Sequence, residues 1–285
     1  MSYHFQDFST LPLRHKYMFG QVFQKPQICQ LFLEELLGWS IEKIEYVDRE
    51  KDITDSYFSR GVRLDIYIRN SDTVYNVEMQ SEKDDALERR IRYYQSGIDR
   101  EELKHGVPHK FLPETFIIFI CNYDPLGHGY AVYHRQMLWD ETQNSYSDGT
   151  HAIVLNSHYT KGNASPAILE VLDYIRTNDD GKEYSTDLAR RTKEQVHQVR
   201  LDKELGGKYM LLELMMQEKR ENGRMEMLVE LICKKLKKGK TPEVIADEVE
   251  GDPEFILFVC KALEPYAPNY DMEQIYETLI ENHFK

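Results

Sequence analysis

Arg63-Leu64-Asp65-Ile66-Tyr67-Ile68-Arg69 alternates strictly between apolar and polar side chains, and after Asn70-Ser71-Asp72 a second run follows, Val74-Tyr75-Asn76-Val77-Glu78-Met79-Gln80. Strict alternation is the period of a half-buried strand, with Leu64, Ile66 and Ile68 on one face and Arg63, Asp65, Tyr67 and Arg69 on the other. The Asn-Ser-Asp break supplies turn chemistry, so the two runs are predicted to pair as a hairpin. The same period puts Glu78 and Gln80 on one face of the second strand and turns Val77 and Met79 to the other. If the polar faces coincide, Asp65, Glu78 and Gln80 converge. Two carboxylates beside a backbone carbonyl, here that of Met79, are the hard oxygen donors that Mg²⁺ takes, since it usually accepts one or two protein carboxylates and keeps several waters. Such a site holds a scissile phosphate and lowers the pKa of a bound water for in-line attack. The bland alternative is the solvent-facing side of an ordinary hairpin, and spacing alone does not separate the two.

The flanking sequence extends the hairpin into a layered domain. Before it, Pro26 opens an apolar face at helical spacing (Ile28, Leu31, Phe32, Leu36, Leu37) that Gly38 closes, and Ile41 to Val47 reads as a strand. After it, Leu87, Ile91, Tyr94 and Ile98 mark an amphipathic helix over residues 84–104, and the apolar run Phe116 to Cys121 reads as a fully buried strand. Shorter strands are expected at Tyr130 to Tyr133 and Ala152 to Leu155, then a helix from Pro166 to Arg176. This order predicts an α/β domain whose sheet is covered by helices. Asn178, Asp179, Asp180 and Gly181 place a boundary near residue 180, giving an α/β domain over 1–180 and an all-helical domain over 181–285, interrupted at Gly206, Gly207 and Gly223. Met225 to Lys237, Pro242 to Val249 and Pro253 to Leu263 are its last helices. The final two resemble a helix-turn-helix only loosely, and a small helical bundle or arm without DNA contact is the better explanation of them.

With 285 residues, 41% hydrophobic and 30% charged, the chain has the composition of a soluble globular protein. Its apolar runs fall far short of the roughly 20 residues that cross a bilayer, and no basic-then-apolar leader opens it, so the expected location is the cytoplasm. Cys29, Cys121, Cys233 and Cys260 contain no C-x-x-C pair, which excludes a familiar zinc finger and predicts buried thiols. His128, His134, His151 and His158 lack the spacing of a metal-binding helix and read as surface or loop residues, and no G-x-x-x-x-G-K loop supports ATP-driven chemistry. A net charge of −13 argues against binding nucleic acid by overall basicity, yet residues 186–240 carry +5 between two flanks of −9.

Several segments in order resemble one family. Gly61-Val62-Arg63-Leu64-Asp65-Ile66, Tyr75-Asn76-Val77-Glu78-Met79-Gln80 and Arg89-Arg90-Ile91-Arg92-Tyr93-Tyr94-Gln95-Ser96 are followed by Phe116 to Cys121, Tyr123-Asp124-Pro125, Asp148-Gly149 and Leu155-Asn156. Over residues 12–176 this series resembles the PD-(D/E)XK nuclease family transposases, also called the Rpn family of recombination-promoting nucleases. The resemblance implies a restriction-endonuclease-like core with Asp65 and Glu78 as metal ligands, the Met79 carbonyl as a further one, and Gln80 in the place of the motif's lysine. It further implies Mg²⁺, or Mn²⁺ in its stead, and a DNA endonuclease acting in recombination or mobile-element maintenance. A lysine at the place of Gln80 would stabilise developing charge, whereas a neutral amide only orients by hydrogen bonds. The superfamily's first-helix acid falls on Glu34 or Glu35, each also explained as solvated helix surface. The stretch Lys16-Tyr17-Met18-Phe19-Gly20 resembles a family motif that begins with Asp, and Lys16 departs from it.

Candidate DNA contacts lie outside this core. Arg89, Arg90 and Arg92 follow the Glu78 strand on the next helix; Arg89 and Arg92 share a side at i, i+3, while Arg90 is turned about 100° from Arg89. Ion pairing with nearby acids is the alternative. Lys234, Lys235, Lys237, Lys238 and Lys240 form a basic cluster suited to phosphate, or to a solvated helix end. Lys16 and the acidic charge favour a rival function, a DNA-binding or assembly protein that keeps the fold without catalysis. A third possibility is self-association through Tyr209-Met210-Leu211-Leu212 and Leu214-Met215-Met216 in the helical tail.

Overall fold

The computed structural model describes residues 6–41, 44, 46–53, 62–70 and 72–270. Two helices, α1 (Lys16–Phe23) and α2 (Pro26–Leu37), precede the sheet. Pro26 occupies the first turn of α2, and Gly38 ends it in the left-handed conformation (φ 79°), a geometry that glycine adopts without a Cβ penalty. The strand expected at 41–47 starts later, as β1 (Tyr46–Ile53), and residues 42, 43 and 45 lie outside the described residues. Ile41 and Ile44 are apolar because they are buried beside the exit of α2, where the Ile41 N–H donates to Glu34 Oε1. β1 itself carries Asp48, Arg49, Glu50, Lys51 and Asp52, a charged edge that gives no alternating signal.

β2 (Val62–Asn70) and β3 (Thr73–Gln80) form the predicted antiparallel hairpin, and β1 pairs antiparallel with β2. β4 (Glu114–Cys121) and β6 (Thr150–Asn156) continue the sheet in parallel, with β5 (Val132–His134) antiparallel at the far edge, in the order β1-β2-β3-β4-β6-β5. The crossover from β3 to β4 is α3 (Leu87–Glu102). Its stripe of Leu87, Ile91, Tyr94 and Ile98 packs on Tyr67, Val74, Ile117, Phe119 and Val154. This helix covers the face that alternation assigns to solvent. Residues 64–68 of β2 are therefore buried throughout, not on one side only. α1 lies against β2 and β3, α2 and α5 (Asp187–Leu201) pack with it, and α4 (Pro166–Thr177) packs on α2 and α5.

The turn at residues 178–181 does not end this unit. The chain divides at 209 and 210, because α5 packs on α1, α2 and α4. Glu170 of α4 accepts four hydrogen bonds, from the N–H and hydroxyl of both Ser185 and Thr186, at the start of α5. Arg200 of α5 reaches back to the carbonyl of Leu11 (3.0 and 3.1 Å), to Asn178 Oδ1 (3.0 Å) and to Asp180 Oδ2 (2.6 Å).

In the second unit the C-terminal part of α6 (Lys203–Leu236) packs with α7 (Pro242–Glu248) and α8 (Pro253–Leu263) around Val229, Ile232, Cys233, Ile245, Ile256 and Cys260. Gly206, Gly207 and Gly223 do not interrupt α6. At Gly206 the missing side chain makes room for Phe8, whose ring a Cβ would meet at 3.0 Å. All four cysteines are buried and free, as expected.

Candidate active site

The β2–β3 ladder runs from Asn70↔Thr73 to Ile66↔Val77 and stops one residue short of Asp65 and Glu78. There side chains take over from backbone. The Asp65 N–H donates to Glu78 Oε1 (2.9 Å), and the Met79 N–H donates to Asp65 Oδ2 (3.1 Å). Asp65 is 3% exposed and Glu78 0%, so neither belongs to a solvated hairpin face. Each carboxylate fixes one oxygen on the backbone of the neighbouring strand and leaves the other outside the ladder. Asp65 Oδ1 and Glu78 Oε2 are both buried and accept nothing from the sheet.

Two cations face those two oxygens. Lys16 is the first residue of α1, and the Ser81 hydroxyl at the end of β3 donates to the Arg14 carbonyl (2.5 Å), which holds the entrance of that helix beside the carboxylates. The Lys16 ammonium lies 2.5 Å from Asp65 Oδ1. A cation at a helix N-terminus opposes the macrodipole, and the first turn of α1 holds no acid to offset it. Asp65 supplies the missing negative charge. Burial pulls the Lys16 pKa down, but Asp65, with Glu78 behind it, more than offsets this and raises it. Arg90 of α3 approaches Glu78 Oε2 at 3.7 Å. Its guanidinium also donates to Gln80 Oε1 (2.7 Å), Asp84 Oδ2 (3.3 Å) and the Tyr94 hydroxyl (3.1 Å), with its carbon 5.1 Å from the ring centres of Tyr94 and Phe119. Burial, then the charge of Asp65, pushes the Glu78 carboxyl well above the usual carboxylate range, against the pull of the Asp65 N–H, Lys16 and Arg90.

The sequence candidates separate clearly in space. Asp65, Glu78, Met79 and Gln80 come together. Gln80 is pinned at both ends, its oxygen accepting from Arg90 and its nitrogen donating to the Glu82 carbonyl (2.6 Å). The Met79 N–H faces β2, and in an extended strand the carbonyl of the same residue faces the same way. Arg89 and Arg92 point to solvent, and Arg90 is the arginine that α3 turns toward the carboxylates. Its spacing holds the signal, since Arg90 stands three residues after Leu87 and four before Tyr94, beside the buried stripe. Glu34 and Glu35 do not join the pair: Glu34 holds the Ile41 N–H and Gln30, and Glu35 accepts from the Ser165 hydroxyl (3.0 Å). Lys16, which in sequence is a departure from a motif, is a member of the site.

The remaining candidates lie elsewhere. His151 pairs with Glu114 (2.7 Å), and among the described residues no group of three or more His, Cys, Asp or Glu side chains assembles. In the second unit Lys234 pairs with Glu230 (2.6 Å) and Lys235 with Glu248 (2.5 Å), Lys240 also pairs with Glu248, and Lys237 and Lys238 are exposed. Of the apolar run in α6, Tyr209 is buried with its ring 5.3 Å from that of Tyr17, Met210 is exposed, and the side chains of Leu211, Leu214, Met215 and Met216 lie outside the described residues.

The donor set suits a hard divalent cation. Two buried carboxylate oxygens that the sheet does not use, on side chains whose other oxygens are fixed by backbone, are ligands of the type and number such an ion takes from protein. No helix among the described residues is long and apolar enough to cross a membrane. Comparison with curated proteins and with solved structures finds no match in either set. A family model does match, over residues 13–198, which span the sheet, the Asp65–Glu78 fork and the helices packed on them, and by that match the chain belongs to the PD-(D/E)XK nuclease family transposases.

Proposed function

We propose that the protein is a metal-dependent DNA endonuclease that hydrolyses phosphodiester bonds at the Asp65–Glu78 pair and serves DNA recombination or mobile-element maintenance in the cytoplasm. The observation that supports this reading is the pair of carboxylates itself: Asp65 Oδ1 and Glu78 Oε2 are buried side by side at the end of a ladder, unused by the sheet and each facing a cation. Bound Mg²⁺, or Mn²⁺ in its place, supplies charge stabilisation for the phosphate and lowers the pKa of a water. Asp65 and Glu78 would hold it, with the Met79 carbonyl facing the same space. Arg90 brings a fixed positive charge beside Glu78, held by Gln80, Asp84 and Tyr94. The Gln80 amide has two N–H groups and spends one on Glu82, which leaves the other to orient a water. Arg89 and Arg92 on α3, and Lys234, Lys235, Lys237 and Lys238 in the second unit, are proposed DNA-backbone contacts. Self-association through α6 is proposed on Met210 and its apolar neighbours in sequence.

The experiment is the nicking of supercoiled plasmid by purified protein with Mg²⁺ or Mn²⁺, stopped by EDTA. Intact plasmid in both metals, or equal nicking by the Asp65→Asn variant, overturns the reading. One observation favours the alternative of a DNA-binding or assembly protein without catalysis: a lysine sits on the oxygen a metal needs. That alternative requires DNA retention in a mobility shift with no nicking under any metal.

A further inference from the structure

We propose that the Lys16 ammonium is a built-in counter-ion that competes with the divalent cation for Asp65 Oδ1, so that metal enters only as Lys16 leaves. The proposal rests on Asp65 and Glu78 being the metal ligands. Oδ1 is the Asp65 oxygen that takes no backbone donor, since the Met79 N–H is on Oδ2. That oxygen already has a full positive charge 2.5 Å away. A hard divalent ion binds carboxylate oxygen at roughly 2.0–2.6 Å, so ammonium and metal claim the same place and repel one another there.

The two cations of the site differ in how freely they can move. Arg90 is clamped by Gln80, Asp84 and Tyr94 and lies over two rings. Lys16 is tied to Asp65 alone among the contacts seen for its ammonium, and its side chain is 50% exposed. A flexible four-carbon stem on the first turn of a helix swings into solvent without repacking the core. Asp65 is 3% exposed and cannot follow it. Lys16 therefore serves two states: it neutralises a buried carboxylate when the metal is away, and it sets how tightly the metal binds without itself being a ligand.

The test is Mn²⁺ binding to the full chain without DNA, by titration calorimetry, for the wild type, Lys16→Gln, Lys16→Met, Lys16→Arg and Asp65→Asn, each checked for folding by circular dichroism. Lys16→Met keeps the reach of the stem, so the result does not hinge on one variant. Loss of the competing charge should tighten binding about tenfold or more in Lys16→Gln and Lys16→Met, whereas Lys16→Arg binds no more tightly than wild type. Asp65→Asn should not bind. If wild type and both neutral variants bind Mn²⁺ equally while Asp65→Asn does not, the metal site stands and the counter-ion proposal falls. If neither the wild type nor the neutral variants bind Mn²⁺, the metal-site reading falls and takes the proposal with it.

Discussion

Glu78 Oε1 accepts the backbone N–H of Asp65 at 2.9 Å, one residue beyond the last paired position of their strands. Together with the Met79 N–H on Asp65 Oδ2, this makes the two carboxylates structural parts of the sheet as well as candidate ligands. Alanine at either position strips a buried N–H of its acceptor, which costs about 1–3 kcal/mol for each group left unsatisfied. Asp65→Asn and Glu78→Gln keep an acceptor oxygen, so they should melt near or above the wild type where Asp65→Ala and Glu78→Ala melt lower. All four should lose about a hundredfold or more in plasmid nicking. Wild-type nicking by either amide variant would remove that residue from the reaction.

Protonation of Glu78 gives a second test, with a definite sign. Its folded pKa lies above the ordinary glutamate value of 4.5, so its contribution to stability is fully present below about pH 4.5 and is lost as pH rises through the higher folded value. Glu78→Gln has no such loss. In metal-free protein the melting temperature of Glu78→Gln should rise relative to wild type as pH increases from about 4.5 and then level off. A constant difference across that range would mean that burial does not perturb Glu78.

Arg90 and its neighbours on α3 should behave oppositely. Arg90→Ala leaves Gln80, Asp84 and Glu78 without their shared cation and should cost about 2 kcal/mol in urea unfolding, less than a fully buried pair because the side chain is partly exposed. Arg89→Ala and Arg92→Ala should leave unfolding unchanged and lower DNA affinity only in a salt-dependent way. Gln80→Lys sets a second cation against Arg90. It should retain part of the nicking activity but melt lower than the wild type, and an unchanged melting temperature would show that the Gln80–Arg90 hydrogen bond contributes nothing.

The lysine cluster can be divided by its ion pairs. Lys235 and Lys240 share Glu248, and Lys234 holds Glu230, whereas Lys237 and Lys238 are exposed. Replacing Lys237 and Lys238 with glutamine should flatten the plot of log DNA affinity against log salt by about 0.9 for each phosphate that is no longer neutralised, and Lys235→Gln should change it less. An unchanged slope after all five lysines are replaced would exclude the cluster from the DNA interface.

Acid stability should report the α4–α5 junction. Four hydrogen bonds from Ser185 and Thr186, prevailing over a burial effect of opposite sign, lower the Glu170 pKa to about 2. The stability it contributes is present above its ordinary value of about 4.5 and is lost as pH falls toward 2. Glu170→Gln should melt lower than wild type at neutral pH, with the gap closing through that window. A gap independent of pH would assign the effect to packing.

Local pattern is enough wherever partners are close in sequence. Leu64, Ile66 and Ile68 announce β2, the run from Phe116 to Cys121 announces β4, and alternation puts Glu78 and Gln80 on one face of β3, which meets Asp65 once the polar faces of the hairpin coincide. What it misses depends on distant partners. The charged strand β1 gains its place by pairing with β2, not by any period of its own. Asn178 to Gly181 have real turn chemistry, but α5 returns to Leu11 and to α1, and the unit runs on to 209. Lys16 reads as a departure in sequence because the motif it resembles begins with Asp, and no local rule links the first residue of α1 to Asp65.

The clasp of Arg200 on the Leu11 carbonyl also orders events in time. The segment that leads into α1, and carries Lys16 toward Asp65, is translated first but gains this anchor only when α5 has left the ribosome. At about 5–20 residues per second that interval is roughly ten to forty seconds. The hairpin bearing Asp65 and Glu78 is complete at residue 80, so at that rate roughly six to twenty-four seconds separate it from Arg200. The Ser81–Arg14 hydrogen bond needs no residue beyond 81, so of the two anchors on the segment before α1 one is available early in translation and the Arg200 clasp only after about 200 residues are made.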